Sequence, residues 1–149
     1  PYTTLFRSRL SVHGTEVGRL EFSGYRKAYM ADGKILKDHG HGWKLWGKCK
    51  PGVTPQAAYE NAKRKQAEKL ASRPALAAYV DYVRSLAPLS KRWKLTLALS
   101  MMPDDPDGIY SDCCDSYGDN VEADLDDICK LCDLYRAACE EGQPATEPA

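Results

Sequence analysis

The first third of the chain is cut into short segments by pairs of turn residues. His13-Gly14, Ser23-Gly24, Asp32-Gly33 and Gly40-His41-Gly42 separate runs in which apolar and charged residues alternate. Asp-Gly between two such runs is a strong hairpin signal, because both residues tolerate positive φ. The pattern predicts an antiparallel β-meander that Pro51-Gly52 closes, with strands at 9–12, 15–22, 25–31, 34–37 and 42–50.

Prolines divide the middle of the chain into helices. Thr54 followed by Pro55 is a typical helix start, with a capping hydroxyl and then proline at the first helical position. This helix is predicted to end at Ser72. Its inner face is predicted to carry Tyr59, Ala62, Gln66 and Leu70. A second helix is predicted at 75–87, with helical spacing of its core residues Leu76, Val80, Val83 and Leu86.

The remaining segments are less regular. In 91–102, strict alternation of large apolar residues from Trp93 to Met101 favours a half-buried strand, whereas the Leu, Ala, Met and Lys content favours a helix. The alternation leads us to predict a strand. Residues 103–120 read as a loop rich in Asp, Pro and Gly. A final helix is predicted at 122–140, with its inward positions at Leu125, Ile128, Cys132, Tyr135 and Cys139.

These elements predict an α+β fold, in which an N-terminal antiparallel β-meander is packed by two to three helices and followed by a C-terminal acidic loop and helix. We expect a single domain over 9–140, divided into a basic meander (9–52), helices (53–87), a strand or helix (91–102) and an acidic loop plus helix (103–140). Residues 1–8 read as the translation of a sequencing adapter and are set aside as an artefact. Residues 141–149 are predicted to form a disordered tail.

The formal net charge of zero hides two opposed halves. Residues 9–100 contain 18 Lys and Arg against 7 Asp and Glu, whereas residues 101–149 contain 2 against 14. A basic surface of this kind suits a polyanion, and the acidic segment suits a different partner or folds back on the basic half.

Composition also bears on the compartment. No apolar run approaches the ~20 residues that a membrane-spanning helix requires, so no membrane partner is expected. Five of the six cysteines lie between Cys113 and Cys139, three of them on the predicted last helix. That placement suits reduced, buried thiols and favours a cytoplasmic protein.

Basic and aromatic residues are interleaved in the predicted sheet and followed by a basic run in the first helix. Bases stack on aromatic rings while Lys and Arg neutralise phosphates, so the pattern indicates nucleic-acid binding. The alternative is that the tryptophans pack in the core and the lysines form a solvated face. The predicted nucleic-acid-binding residues are Tyr25, Arg26, Lys27, Tyr29, Lys44, Trp46, Lys48, Lys50, Lys63, Arg64 and Lys65. A three-stranded meander that leads into a helix opening Thr-Pro-Gln-Ala-Ala-Tyr is also similar in layout to AP2-like and integrase arm-type DNA-binding modules.

Metal and catalytic sites are weaker alternatives. Cys113, Cys114, Cys129 and Cys132 have partial zinc-ligand spacing, but Cys129 and Cys132 fall within a predicted helix, where core packing explains them more simply. His39 and His41 flank Gly40 in a turn with no nucleophile or carboxylate evident beside them. We therefore expect no catalytic residues, no metal and no cofactor.

The function that this pattern favours is a small non-enzymatic nucleic-acid-binding accessory protein, encoded by a phage or mobile element. The alternative is a protein–protein interaction or inhibitor protein that binds a basic partner through an acidic face mimicking nucleic acid. That face would comprise the acidic residues that exceed what helix capping requires: Asp104, Asp105, Asp107, Asp112, Asp115 and Asp119.

Overall fold

The computed structural model describes residues 14–115 and 123–143, without the side chains of Cys114 and Asp115. Four strands come first: β1 Glu16–Glu21, β2 Arg26–Met30, β3 Lys34–Asp38 and β4 Lys44–Lys48. Five helices follow: α1 Pro55–Ser72, α2 Pro74–Leu86, α3 Leu89–Met101, α4 Pro106–Tyr110 and α5 Leu125–Glu141, with a π-helical turn at Ser111–Asp115 between the last two. The fold is α+β, as the sequence predicts.

The strands form one antiparallel sheet in the order β1-β2-β3-β4. All four were expected from the turn signals, although β4 is shorter than its predicted span. The strand predicted at 9–12, the segment 1–8 and residues 144–149 lie outside the described residues. The structure therefore leaves the adapter and the tail as predictions.

The two faces of the sheet differ. On one, which we call the Leu36 face, Ala28, Met30 and Leu36 are fully buried and Trp43 packs against them. The other, which we call the Lys37 face, carries Lys27, Tyr29, Ile35 and Lys37 by strand alternation and register. Helix α1 covers one end of the Lys37 face, where the Tyr59 and Tyr29 rings lie 5.9 Å apart. Gly18 of β1 lies beneath the Tyr59 ring. A Cβ at this position would lie 2.5 Å from the ring, so any larger residue would clash with it.

A β-bulge interrupts the pairing of β3 and β4. Ile35 pairs with Gly47 and Leu36 with Leu45, so Trp46 is the extra residue. Strict alternation along the predicted strand 42–50 would place Lys44, Trp46 and Lys48 on one face and Trp43 and Leu45 on the other. Lys48 departs from this pattern, because the bulge shifts the alternation and pairs Lys48 with Lys34, on the Leu36 face.

The helices enclose a second and larger core. α2 contributes Val80 and Val83, α3 contributes Leu95 and Leu99, and α5 contributes several more, all nearly or fully buried: Ile128, Leu131, Cys132 and Ala138. Ile109 of α4 completes this core. The acidic half of the chain is thus part of the fold. Among the described helices, none combines the length and the apolar character needed to cross a membrane.

Two predictions about the secondary structure of the C-terminal half are wrong. The segment predicted as a strand at 91–102 is helix α3, whose buried residues Leu95, Ala98 and Leu99 have helical spacing. The predicted loop 103–120 contains α4, started by Asp105, whose side chain accepts a hydrogen bond from the Gly108 amide, and then the π-helical turn.

The inward face of α5 also differs from the prediction. Cys139 and Leu125 are exposed, because the buried stripe runs through Leu131 and Ala138 instead. Leu125 is also the first residue of the helix, where little packs against it.

Glu21, the last residue of β1, joins the sheet to three helices. Its carbonyl oxygen accepts hydrogen bonds from Gln66 Nε2 of α1 (2.9 Å) and from Arg84 Nη2 of α2 (2.7 Å). Its carboxylate forms an ion pair with Arg92 of α3. Arg92 in turn donates to the carbonyl oxygens of Ala87 and Arg84 at the end of α2. The junction between sheet and helices is therefore largely polar at this point.

Candidate nucleic-acid interface

Part of the Lys37 face that α1 leaves open carries aromatic and cationic side chains in contact. Lys37 Nζ lies 4.0 Å from the ring centroid of Trp46 and 4.3 Å from that of Tyr25, and Lys27 Nζ lies 5.6 Å from the Trp46 ring. Lys44 adjoins them as the register partner of Lys37. We call these five residues the Trp46 cluster. Trp46 is 59% exposed, so its ring is accessible to a ligand.

The cations of this cluster are not neutralised. Among the described residues, Lys27, Lys37 and Lys44 form no ion pair with a carboxylate. Burial, and then the nearby charge of Lys27, lowers the pKa of Lys37 below its ordinary value. Burial has the opposite effect on the pKa of Tyr25, which it raises, because the charged form of a tyrosine is the deprotonated one. Two ammonium groups held together without a counter-ion favour an anionic ligand.

Two of the predicted binding residues have structural contacts. Arg26 points to the Leu36 face, where its guanidinium binds Asp38 at 2.8 Å and lies 4.7 Å from the Trp43 ring. Tyr29 shares the face of Lys27 but is only 6% exposed, because α1 covers it. The alternative interpretation of core tryptophans and structural cations therefore holds for Trp43 and Arg26.

The other predicted basic residues lie apart from the Trp46 cluster. Lys48 and Lys50 are exposed at and after the end of β4. Lys63, Arg64 and Lys65 are exposed on α1, and Arg64 pairs with Glu68 at 2.7 Å. Within the described part of the chain, no ring contact, hydrogen bond or ion pair joins these residues to Trp46.

The loop between β3 and β4 is built around Asp38, whose side chain is 3% exposed. Its Oδ1 accepts hydrogen bonds from the amides of Gly40 (2.6 Å) and Gly42 (3.0 Å), while Oδ2 accepts from Arg26. Burial alone would raise the pKa of Asp38, but these hydrogen bonds outweigh it, so the pKa lies below its ordinary value. Gly40 has φ +105°, and a Cβ there would lie 2.8 Å from Ser90 Cα.

This loop places His39 and His41 opposite α3. The rings of Tyr25 and His39 lie 6.0 Å apart, and those of His41 and Trp93 lie 5.0 Å apart, edge to face. Two recesses of about 410 and 290 Å³ share His39 and Trp93. We call them together the α3 groove. No carboxylate of the described residues lines it, and its side chains include Phe22, Tyr25, Lys37, Lys44, Trp93 and Leu97.

Several residues of the proposed acidic partner face have structural roles. Asp105 caps α4, and Asp104 pairs with Arg136 at 3.4 Å. Asp107 lies in the first turn of α4 and Asp112 is exposed in the π-helical turn. The side chain of Asp115 and all of Asp119 lie outside the described residues. Part of the acidity is thus accounted for by capping and pairing.

The described cysteines are free thiols. Cys113 and Cys132 are buried, and Cys129 is half-buried, while the side chain of Cys114 lies outside the described residues. Burial, and then the neighbouring Cys129, raises the pKa of Cys132. In the described part of the chain, no three His, Cys, Asp or Glu side chains are grouped so that they could hold a metal ion.

Sequence reasoning missed Lys37, Trp93 and Leu97 as site residues. Lys37 alternates with Leu36 on β3, so its position opposite the core could have been derived from the strand pattern. Trp93, Leu97 and Met101 are spaced four residues apart. Read as a helix, they would have formed a separate apolar stripe beside the buried one.

No protein-family model matches this chain, and no significant match is found among curated proteins or solved structures. The similarity in layout to integrase arm-type modules therefore stays a prediction from sequence.

Proposed function

We propose that this protein binds nucleic acid through the Trp46 cluster. The observation that carries the proposal is an indole that is 59% exposed and has two ammonium groups over its ring, at 4.0 and 5.6 Å, neither of them paired with a carboxylate of the described residues. An exposed ring can stack on a base, and ammonium groups without a counter-charge can neutralise phosphates, so the cluster supplies both parts of a nucleic-acid contact.

The acidic-face alternative has less support. Of the proposed acidic face, Asp105 accepts a hydrogen bond at the start of α4 and Asp104 pairs with Arg136. These two carboxylates have partners within the fold, whereas Lys27, Lys37 and Lys44 have no carboxylate partner among the described residues. The proposal accordingly places the binding surface on the sheet, in a protein that acts without catalysis.

The test is the anisotropy of labelled oligonucleotides titrated with protein across a range of salt concentrations. Trp46→Ala should weaken binding by about 1–3 kcal/mol, which is the range for the loss of one stacked base. Leu45→Ala is the matched control, because Leu45 is also 59% exposed but pairs with Leu36, on the opposite face. Its affinity should equal that of the unsubstituted chain.

Charge contributes separately. Replacing Lys27, Lys37 and Lys44 together with Gln should reduce the slope of log affinity against log salt by about 2, since each phosphate contact adds roughly 0.7–0.9. Lys34→Gln removes a charge on the opposite, Leu36 face of the sheet and should leave the slope nearly unchanged. If the unsubstituted protein binds no oligonucleotide at low salt, the proposal fails.

A further inference from the structure

The α3 groove adjoins the Trp46 cluster and differs from it in chemistry. Tyr25 belongs to both, because its ring contacts Lys37 in the cluster and lines the larger recess of the groove. Lys37 and Lys44 likewise line the smaller recess. The two features therefore form one continuous surface.

The two walls of this surface are unlike. The sheet side supplies cations, Lys37 and Lys44, together with the loop histidines. The helix side supplies Trp93 and Leu97, and Leu97 is 48% exposed although it is apolar. An amphipathic, elongated ligand with anionic groups along one edge and flat apolar groups along the other fits such a groove.

Trp93 adds a second observation. This residue lines both recesses. Indole rings stack on the flat faces of nucleobases, so an unpaired base is a ligand that this residue can accept.

We infer that the ligand is single-stranded nucleic acid, with phosphates along Lys27, Lys37 and Lys44 and unpaired bases in the α3 groove. This inference rests on the proposed function and specifies its substrate. In a duplex the faces of the bases are stacked within the helix, and only their edges reach the grooves. Rings such as Trp46 and Trp93 can stack only on bases that have left the helix.

The first experiment compares a 12-nucleotide dT oligomer, its rU counterpart and a 12-base-pair duplex by anisotropy at low salt. At least one single strand should bind tenfold or more tightly than the duplex. Leu97→Asn should weaken single-strand binding about fivefold or more and leave duplex binding unchanged. Leu125→Asn is the matched control, because it replaces a similarly exposed leucine on α5, outside the groove.

The second experiment uses the unsubstituted chain and so does not depend on the folding of a variant. A single strand containing 5-iodouracil is crosslinked by light, and the modified residues are identified by mass spectrometry. Crosslinks to His41 or Trp93 in addition to Trp46 support the inference, whereas Tyr25 belongs to both features and does not distinguish them. Crosslinks to Trp46 alone, or equal affinity for duplex and single strand with Leu97→Asn unchanged, would overturn it and leave the proposed function standing. If no nucleic acid binds at all, both fail.

Discussion

Trp43 and Trp46 lie three residues apart, and each has two cationic side chains over its ring, yet their surroundings differ. Over Trp43 the cations are guanidiniums, and each is held by a carboxylate: Arg19 by Glu16 at 2.6 Å and Arg26 by Asp38 at 2.8 Å. Over Trp46 the cations are ammonium groups with no carboxylate partner in the described part of the chain.

The difference separates two uses of the same residue types. Around Trp43, charges and ring close the Leu36 face and stabilise the fold. Around Trp46, the ring and the charges remain accessible, and the ammonium groups repel each other, which is typical of a binding surface. In this chain the counter-charges therefore distinguish the cations that close the Leu36 face from those of the proposed binding surface.

The comparison predicts that the largest loss of stability follows a substitution of Asp38, the carboxylate that holds Arg26 over Trp43. Asp38→Ala leaves the Arg26 guanidinium partly buried without its partner and frees the β3–β4 loop, which should cost about 3–5 kcal/mol of unfolding free energy. Denaturant titration followed by circular dichroism measures it. Asp32→Ala, at an exposed turn carboxylate that also pairs with a lysine, is the control and should cost far less.

The same site predicts a pH dependence. Because the pKa of Asp38 is depressed in the folded chain, its contribution to stability is complete above the ordinary aspartate pKa of about 3.9 and is lost as the pH falls through the folded pKa. The unfolding free energy of the unsubstituted chain should therefore fall below about pH 4 more steeply than that of Asp38→Asn. Parallel pH profiles for the two chains would contradict the assignment.

The next effect compares the two rings directly. Trp43→Ala removes a half-buried ring from the small sheet core and should destabilise the protein by about 2–3 kcal/mol, somewhat less than a fully buried aromatic. Trp46→Ala should change stability by less than about 0.5 kcal/mol while weakening oligonucleotide binding. Thermal melts of both variants test this. Equal destabilisation would show that Trp46 is also a structural residue.

An intermediate effect is expected in the acidic half. Asp124 and Asp127 form a reciprocal capping box at the start of α5, with hydrogen bonds of 2.9 and 3.0 Å. Asp124→Ala should therefore cost about 1 kcal/mol. Asp126→Ala, in the same helical turn but outside the box, is the matched control. A loss no greater than that of the control would mean that the acidity of this segment is not structural.

The smallest effect concerns Lys37. Lys37→Gln relieves the repulsion with Lys27 but also removes the contacts of the ammonium group with the Trp46 and Tyr25 rings, so at neutral pH and low salt stability should change by less than about 0.5 kcal/mol. Burial and the charge of Lys27 depress the pKa of Lys37, so the folded state disfavours the charged form that prevails at pH 7, and this offsets the loss of the ring contacts. A clear loss of stability would indicate a structural role for the lysine. Chemical denaturation at two salt concentrations provides the measurement.

The sequence predicted much of the fold, because its turns and helix starts are local. Asp32-Gly33 and Thr54-Pro55 each specify backbone geometry without help from distant residues. Helix α3 was mistaken for a strand because exposed Leu97 and Met101 complete an alternation that burial does not follow. Which residues are buried there depends on contacts with α2, α4 and the π-helical turn, which come from other segments of the chain.

The candidate site was predicted only in part, for a similar reason. Lys27, Lys44 and Trp46 were identified from their interleaving, whereas Arg26 and Tyr29 in the same run were not separable from them. The separation depends on Asp38 and Tyr59, which come from other segments. The α3 groove is formed by the β1–β2 turn, the β3–β4 loop and α3, which lie far apart in sequence.

Glu21 has a consequence for how the molecule moves. The sheet and the helices have separate apolar cores, and Glu21 connects them through hydrogen bonds and ion pairs to α1, α2 and α3. Polar connections weaken in salt, so amide protons of β2 and β3 should exchange with solvent faster at high ionic strength, while those of α2 and α5 keep their protection. The α3 groove lies across this same junction. A ligand bound in the groove would therefore contact both sides of this polar junction.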